Sequence, residues 1–155
     1  MTLQVGDKAP EFTLPDASRE NVSLPVDPAQ NVVLLFVPLA FSSVCTAELC
    51  DVSQSLSAFE NLNARVIAIS VDSPFALKSW ADQDGITLTL LSDFNKEVSA
   101  AYGAQYEDFI GLKGVAKRSA FVIDKGGVIR FASVSDDPTV LPDFEAIRAC
   151  LQALE

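Results

Sequence analysis

The strongest chemical groups in this chain are its thiols. It carries three cysteines, Cys45, Cys50 and Cys150, and no histidine among 155 residues. The missing imidazole excludes Ser-His-Asp and Cys-His hydrolases and histidine-based zinc sites. A sulfur nucleophile must then be activated by fixed charge and dipoles rather than by a base. Cys45 is placed for that. The run Pro38-Leu39-Ala40-Phe41-Ser42-Ser43-Val44-Cys45-Thr46-Ala47-Glu48-Leu49-Cys50 follows a continuous apolar stretch, 32–37, and reads as the opening of a helix. In a helix's first turn the backbone N–H groups lack acceptors and the dipole end is positive, which favours a thiolate. Ser42, three residues earlier, can offer a hydroxyl to a bound oxygen and to the sulfur.

Helical geometry separates the two neighbouring cysteines. At ~100° per residue, Leu49, Val52, Leu56 and Phe59 fall within about 40° of Cys45, which therefore faces inward. Cys50 lies ~140° around the helix and about 7.5 Å along it. Bridged cysteines have Cα atoms ~4.4–6.8 Å apart, so a Cys45–Cys50 disulfide requires local unwinding. Position alone also fits a buried, inert Cys45, and Cys50 is ambiguous in the same way. Cys150 sits beside Leu151 on the apolar stripe of the last helix and reads as packing.

The elements that must position these groups follow from periodicity. Short extended pieces are expected at 12–14 and 22–24, framed by Pro10, Pro15, Pro25 and Pro28. Residues 32–37 and 65–71 read as strands buried on both faces. Helices are expected over 44–59, from the Asp72-Ser73-Pro74 start to about residue 83, and over 96–102. A strand is expected at 88–91. Strands at 119–123 and 128–134 flank Asp124-Lys125-Gly126-Gly127, a hairpin signal, and a helix over 143–154 closes the chain. The stretch 103–117 has no clear period. Alternating strands and helices with a final hairpin imply an α/β fold around a mixed sheet. A chain of this length, with no composition shift, suits one domain over 1–155.

Eleven basic against 21 acidic residues leave a net charge of −10. An acidic surface repels phosphate, so neither nucleic acid nor an anionic membrane is expected as a partner. The start, Met1-Thr2-Leu3-Gln4-Val5-Gly6, lacks the basic and apolar regions of a secretory signal. The longest apolar stretch, 32–41, is interrupted by Pro38 and falls short of the ~20 residues a membrane span needs. A soluble cytoplasmic protein is expected, whose thiols stay reduced or pair transiently.

Pro38-x-x-x-Ser42-x-x-Cys45 resembles the active-site motif of the peroxiredoxins, with Ser42 where Thr is usual. The resemblance extends to Val5-Gly6-Asp7-Lys8-Ala9-Pro10-Glu11-Phe12-Thr13-Leu14, the 66–72 strand, Leu91-Ser92-Asp93 and Arg118-Ser119-Ala120-Phe121-Val122-Ile123-Asp124. Pro38-Leu39-Ala40-Phe41 looks like the alkyl hydroperoxide reductase E type, whereas Cys50 is similar to the resolving cysteine of the bacterioferritin-comigratory-protein (PrxQ) type. The family implies a thioredoxin-like fold and reduction of hydrogen peroxide or organic hydroperoxides, with no cofactor and no metal. It implies that Cys45 attacks the peroxide, Ser42 hydrogen-bonds it, Pro38 shields the pocket and Arg118 stabilises negative charge. Glu48 resembles the acidic residue that orients the arginine. The resulting sulfenic acid is expected to be resolved by Cys50, or by an external thiol, with a thioredoxin-like dithiol as reductant. Cys150 acting across a dimer is a lesser route.

Two other readings set different demands. A thioredoxin-like disulfide reductase wants two residues between its cysteines, and here four intervene. A non-catalytic thioredoxin-fold sensor would use the same Cys45–Cys50 switch. A three-thiolate metal site would need Cys150 to come in from a distant helix. A homodimer contact is expected around Phe41, Tyr106, Phe109 and Ile110, and Trp80 is expected between helix and sheet or near the pocket.

Overall fold

The computed structural model describes residues 3–154. Its centre is a five-stranded sheet in the order β5-β4-β3-β6-β7. The strands are β3 (Asn31–Phe36), β4 (Ala64–Ser70), β5 (Thr89–Ser92), β6 (Ser119–Ile123) and β7 (Ile129–Val134). β3, β4 and β5 run parallel, as helical crossovers require; β6 is antiparallel to β3, and β7 to β6. β1 (Phe12–Pro15) and β2 (Asn21–Leu24) form a separate antiparallel hairpin.

The pleat divides the core in two. Val33, Leu35 and Val37 point to one face, where they meet α1 (Ser43–Gln54), α2 (Leu56–Asn61), α3 (Pro74–Asp84) and α5 (Phe144–Ala153). Val32, Leu34 and Phe36 point to the other, toward the N-terminal hairpin and Val98 of α4 (Glu97–Ala101). The mixed sheet covered on both faces is the expected α/β architecture. No helix among the described residues is long and apolar enough to cross a membrane.

One expectation is revised. The helix over 44–59 is broken at Ser55, whose N–H points at both Asp51 O and Val52 O, and α2 then carries Phe59 into the core. The stretch 103–117 is a tight irregular hairpin with bridges Gln105↔Ala116 and Phe109↔Leu112, its Tyr106 and Phe109 rings stacked at 5.0 Å. Its backbone pairing lies in isolated bridges rather than a strand, so it leaves no period in the sequence.

Candidate active site

The register of the sheet brings the functional groups together. β3 pairs Phe36 with Ser119, so Arg118 stands beside the end of β3, where the chain turns into the loop that leads to α1. That loop turns sharply at Phe41, a non-glycine residue with φ of 67°. Ser42 is the N-cap of α1 and Cys45 its third residue, inside the turn whose N–H groups lack helical acceptors. Cys45 is fully buried, and Glu48 follows on the same face one turn later.

Arg118 links the two. Its Nη2 donates to Cys45 Sγ at 3.1 Å, its Nη1 donates to Glu48 Oε1, and its Nε donates to Pro138 O at 2.7 Å. Only 2 % of Arg118 and 1 % of Glu48 are exposed. Burial pushes the Glu48 carboxyl up to about 7, against the opposing pull of the Arg118 charge and hydrogen bond. Burial alone would lower Arg118, but its charge interactions and hydrogen bonds with Cys45 and Glu48 outweigh it and hold the guanidinium above its ordinary value. The site is thus a buried cation that meets sulfur on one side and a carboxyl on the other. Such a preorganised donor stabilises negative charge developing at sulfur or at an attached oxygen.

Pro38 is buried at the start of the loop. Ser42 turns its hydroxyl inward, donating to Leu39 O at 2.8 Å, so this bond pins the loop and leaves the oxygen's lone pairs to accept. Cys50 is half-buried, and its thiol lies 3.3 Å from Asp84 O at the end of α3, turned away from Cys45. Cys150 lies 3.7 Å from Arg130 O, and burial pushes its thiol up. All three cysteines are free, and they do not gather into a metal-binding group among the described residues. Trp80 is fully buried, donates from Nε1 to Thr46 Oγ1 at 3.0 Å and lies 6.3 Å from the Phe41 ring. It packs α3 against α1 beneath the site. Of the residues expected at a dimer contact, Phe41 and Ile110 are exposed, whereas Tyr106 and Phe109 are half-buried against each other.

Some contributors had no signature of their own in the sequence. Asp72, just past β4, accepts from Ala40 N–H at 2.7 Å and from Ser70 Oγ at 2.8 Å, and so anchors the loop before Cys45. Around Pro138 the chain is turned by Asp137, whose Oδ1 accepts from the Thr139 N–H at 2.9 Å and from its hydroxyl at 2.6 Å. Two residues before Pro138, Asp136 pairs with Lys117 and its carbonyl accepts a hydrogen bond from the Tyr106 hydroxyl, so the 103–117 hairpin braces the segment that bonds Arg118. Asp72 lies in a stretch that carries the family resemblance, but its role here is visible only in three dimensions.

Residues 5–132 match the AhpC/TSA family model. The chain belongs to the AhpC/TSA family. Among curated relatives, alkyl hydroperoxide reductase E of Mycobacterium tuberculosis is 44 % identical over 135 residues, covering 85 % of this chain and 86 % of the relative. Peroxiredoxin TSA1 of Saccharomyces cerevisiae is 36 % identical over 158 residues, covering 96 % and 79 %. Among solved structures, peroxidoxin BcpB from Mycobacterium tuberculosis superposes with a TM-score of 0.87 at 27 % identity, covering 99 % of each chain. This AhpC/TSA protein is therefore a peroxiredoxin of the alkyl hydroperoxide reductase E and BcpB-like kind, with a thioredoxin-like fold and thiol-dependent peroxidase chemistry.

Proposed function

We propose that this peroxiredoxin, acting as one domain over residues 1–155, reduces hydrogen peroxide and organic hydroperoxides at Cys45. The thiolate attacks the terminal peroxide oxygen, the S–O bond forms as the O–O bond breaks, and the leaving alkoxide or hydroxide takes a proton. The sulfur is oxidised by two electrons to a sulfenic acid and the peroxide is reduced to alcohol or water. Arg118 meets the charge on sulfur and on the departing oxygen, Ser42 orients the peroxide, Pro38 keeps water out, and Glu48 holds Arg118. The observation that carries this reading is the 3.1 Å Arg118–Cys45 contact between two buried groups in a chain without histidine. A buried guanidinium aimed at sulfur is hard to explain by stability alone, because desolvating charge is expensive.

Cys50 then resolves the sulfenic acid, forming the Cys45–Cys50 disulfide and releasing water, and a thioredoxin-like dithiol restores both thiols. For this α1 must unwind around Cys45, and Cys50 must leave Asp84 O. The intact helix and turned-away Cys50 equally suit an external thiol attacking Cys45 directly, which is the second reading. Intact-mass analysis after one equivalent of peroxide separates the two. With Cys50 as resolver, wild type loses two hydrogens and Cys50→Ser retains a trappable sulfenic acid. An undiminished disulfide yield in Cys50→Ser, or a persistent sulfenic acid in wild type, rejects Cys50. Free thiols suit a cytoplasmic setting, and the exposed apolar side chains of Phe41 and Ile110 suit a homodimer contact.

A further inference from the structure

Two buried side-chain polar atoms lack a hydrogen-bond partner among the described residues, Glu48 Oε2 and Arg148 Nε. Both residues line the same cavity, which lies between α1, α2 and α5 and measures about 90 Å³. The two atoms are complementary, since a carboxylate oxygen accepts and a guanidinium Nε–H donates. Water does both, and one molecule needs only ~10–15 Å³, so the cavity has room for several. Asp51 and Ser55 add polar wall, and Phe59 and Phe144 add apolar wall. The Arg148 guanidinium lies over the Phe59 ring, 5.6 Å from its centroid, which keeps the head group at the cavity.

We propose that Arg148 is a positioning residue of the peroxidase site, bridged by water in this cavity to Glu48 and through Glu48 to Arg118. This rests on the assignment of Cys45 and Arg118 made above. An ionised Glu48 holds Arg118 by charge and hydrogen bond together, whereas a protonated Glu48 holds it only as a neutral acceptor. The charged and titratable groups around Glu48 are Arg118 from just before β6, with Cys45 on its far side, Asp51 from α1 and Arg148 from α5; α2 lines the cavity with Phe59 and no charge. Arg118 acts on the Glu48 carboxyl by contact, through charge and hydrogen bond; Arg148 stands across the cavity with the same sign of charge and Asp51 with the opposite sign. With Glu48 raised to about 7, loss of one of these charges changes its state near neutral pH.

The test uses Arg148→Met and Arg148→Gln, which remove the charge in two shapes, and Arg148→Lys, which keeps it. The Glu48 carboxyl is titrated by 13C NMR in the reduced protein, and the single-turnover rate with hydrogen peroxide is measured against pH. Both neutral variants are expected to raise the Glu48 midpoint by about one pH unit. Their rates then fall about tenfold at pH 6 and converge with wild type at high pH, and Arg148→Lys restores both readouts. An unmoved midpoint in both neutral variants overturns the proposal. So does a rate loss equal at every pH and not rescued by lysine, which marks a merely structural role. If Cys45→Ser keeps the peroxidase activity, it is the Cys45 assignment that fails, and the Glu48 titration still decides the role of Arg148.

Discussion

Replacing Asp72 with alanine tests whether the loop before Cys45 is held by the end of β4. Asp72 Oδ2 accepts two bonds, from Ala40 N–H at 2.7 Å and from Ser70 Oγ at 2.8 Å. The substitution leaves the part-buried Ala40 N–H without an acceptor, at about 1–3 kcal/mol, and removes a charge-assisted bond from Ser70, itself only 2 % exposed. The expected loss of stability is about 2–4 kcal/mol, measured by urea unfolding. Released at Ala40, the chain from Pro38 to Ser42 samples more conformations, and the first turn of α1 no longer presents Cys45 and the Ser42 hydroxyl in one geometry. Misplacement of this order lowers the single-turnover rate per folded molecule by about 10- to 100-fold. The assay is stopped-flow fluorescence of Trp80, the sole tryptophan, which bonds to Thr46 one residue after Cys45. Asp72→Asn, which keeps an acceptor oxygen, is expected to fall between the two. If Asp72→Ala loses stability while its rate per folded molecule stays within about twofold of wild type, the anchoring argument is wrong.

The other predictions bear on charge and backbone. The Glu48 carboxyl is raised from 4.5 to about 7 in the folded state, so its contribution to stability is full below pH ~4.5 and is lost as pH rises through 7. The stability difference between wild type and Glu48→Gln, measured by denaturant unfolding, is therefore expected to shift against wild type by on the order of 3 kcal/mol between pH 4.5 and pH 8. A flat difference contradicts the raised value. Arg118→Lys keeps a charge but cannot reach Cys45, Glu48 and Pro138 O at once, and its peroxide rate is expected to fall by at least ~100-fold with the fold retained by circular dichroism. Gly85 caps α3 at φ of 68° with open space around a built Cβ, so Gly85→Ala is expected to cost about 1 kcal/mol and leave the peroxide rate unchanged.

The fold was largely legible because its strongest patterns are local. The buried runs at β3 and β4 need apolar residues on both faces, and the Asp124–Gly127 turn with its flanking strands specifies the β6–β7 hairpin, whose first strand lies at the expected 119–123. The break at Ser55 is not legible, since a helical period continues through it to Phe59 and only the backbone, with Ser55 ending α1 and starting α2, shows two elements. In the candidate site, Cys45, Arg118, Glu48 and Pro38 are legible in the sequence, because each carries its reactive group or motif in its side chain. Ser42 is legible too, but the direction of its hydroxyl, toward Leu39 O, belongs to the folded loop. Pro138 acts through its carbonyl, and Arg148 through a cavity shared with Glu48. Neither leaves a mark in a one-dimensional pattern, because each depends on which elements meet.

Whether Cys45 is the group that reacts with peroxide is decided by titrating the reduced protein with hydrogen peroxide. Single-turnover reaction and peptide mapping with a sulfenic-acid trap are run on wild type, Cys45→Ser and Cys50→Ser. Rapid consumption of one equivalent is expected in wild type and Cys50→Ser, with oxygen trapped on Cys45 in Cys50→Ser and no rapid phase in Cys45→Ser. A rapid phase that survives in Cys45→Ser, or oxygen trapped first on Cys50 or Cys150, contradicts the Cys45 assignment.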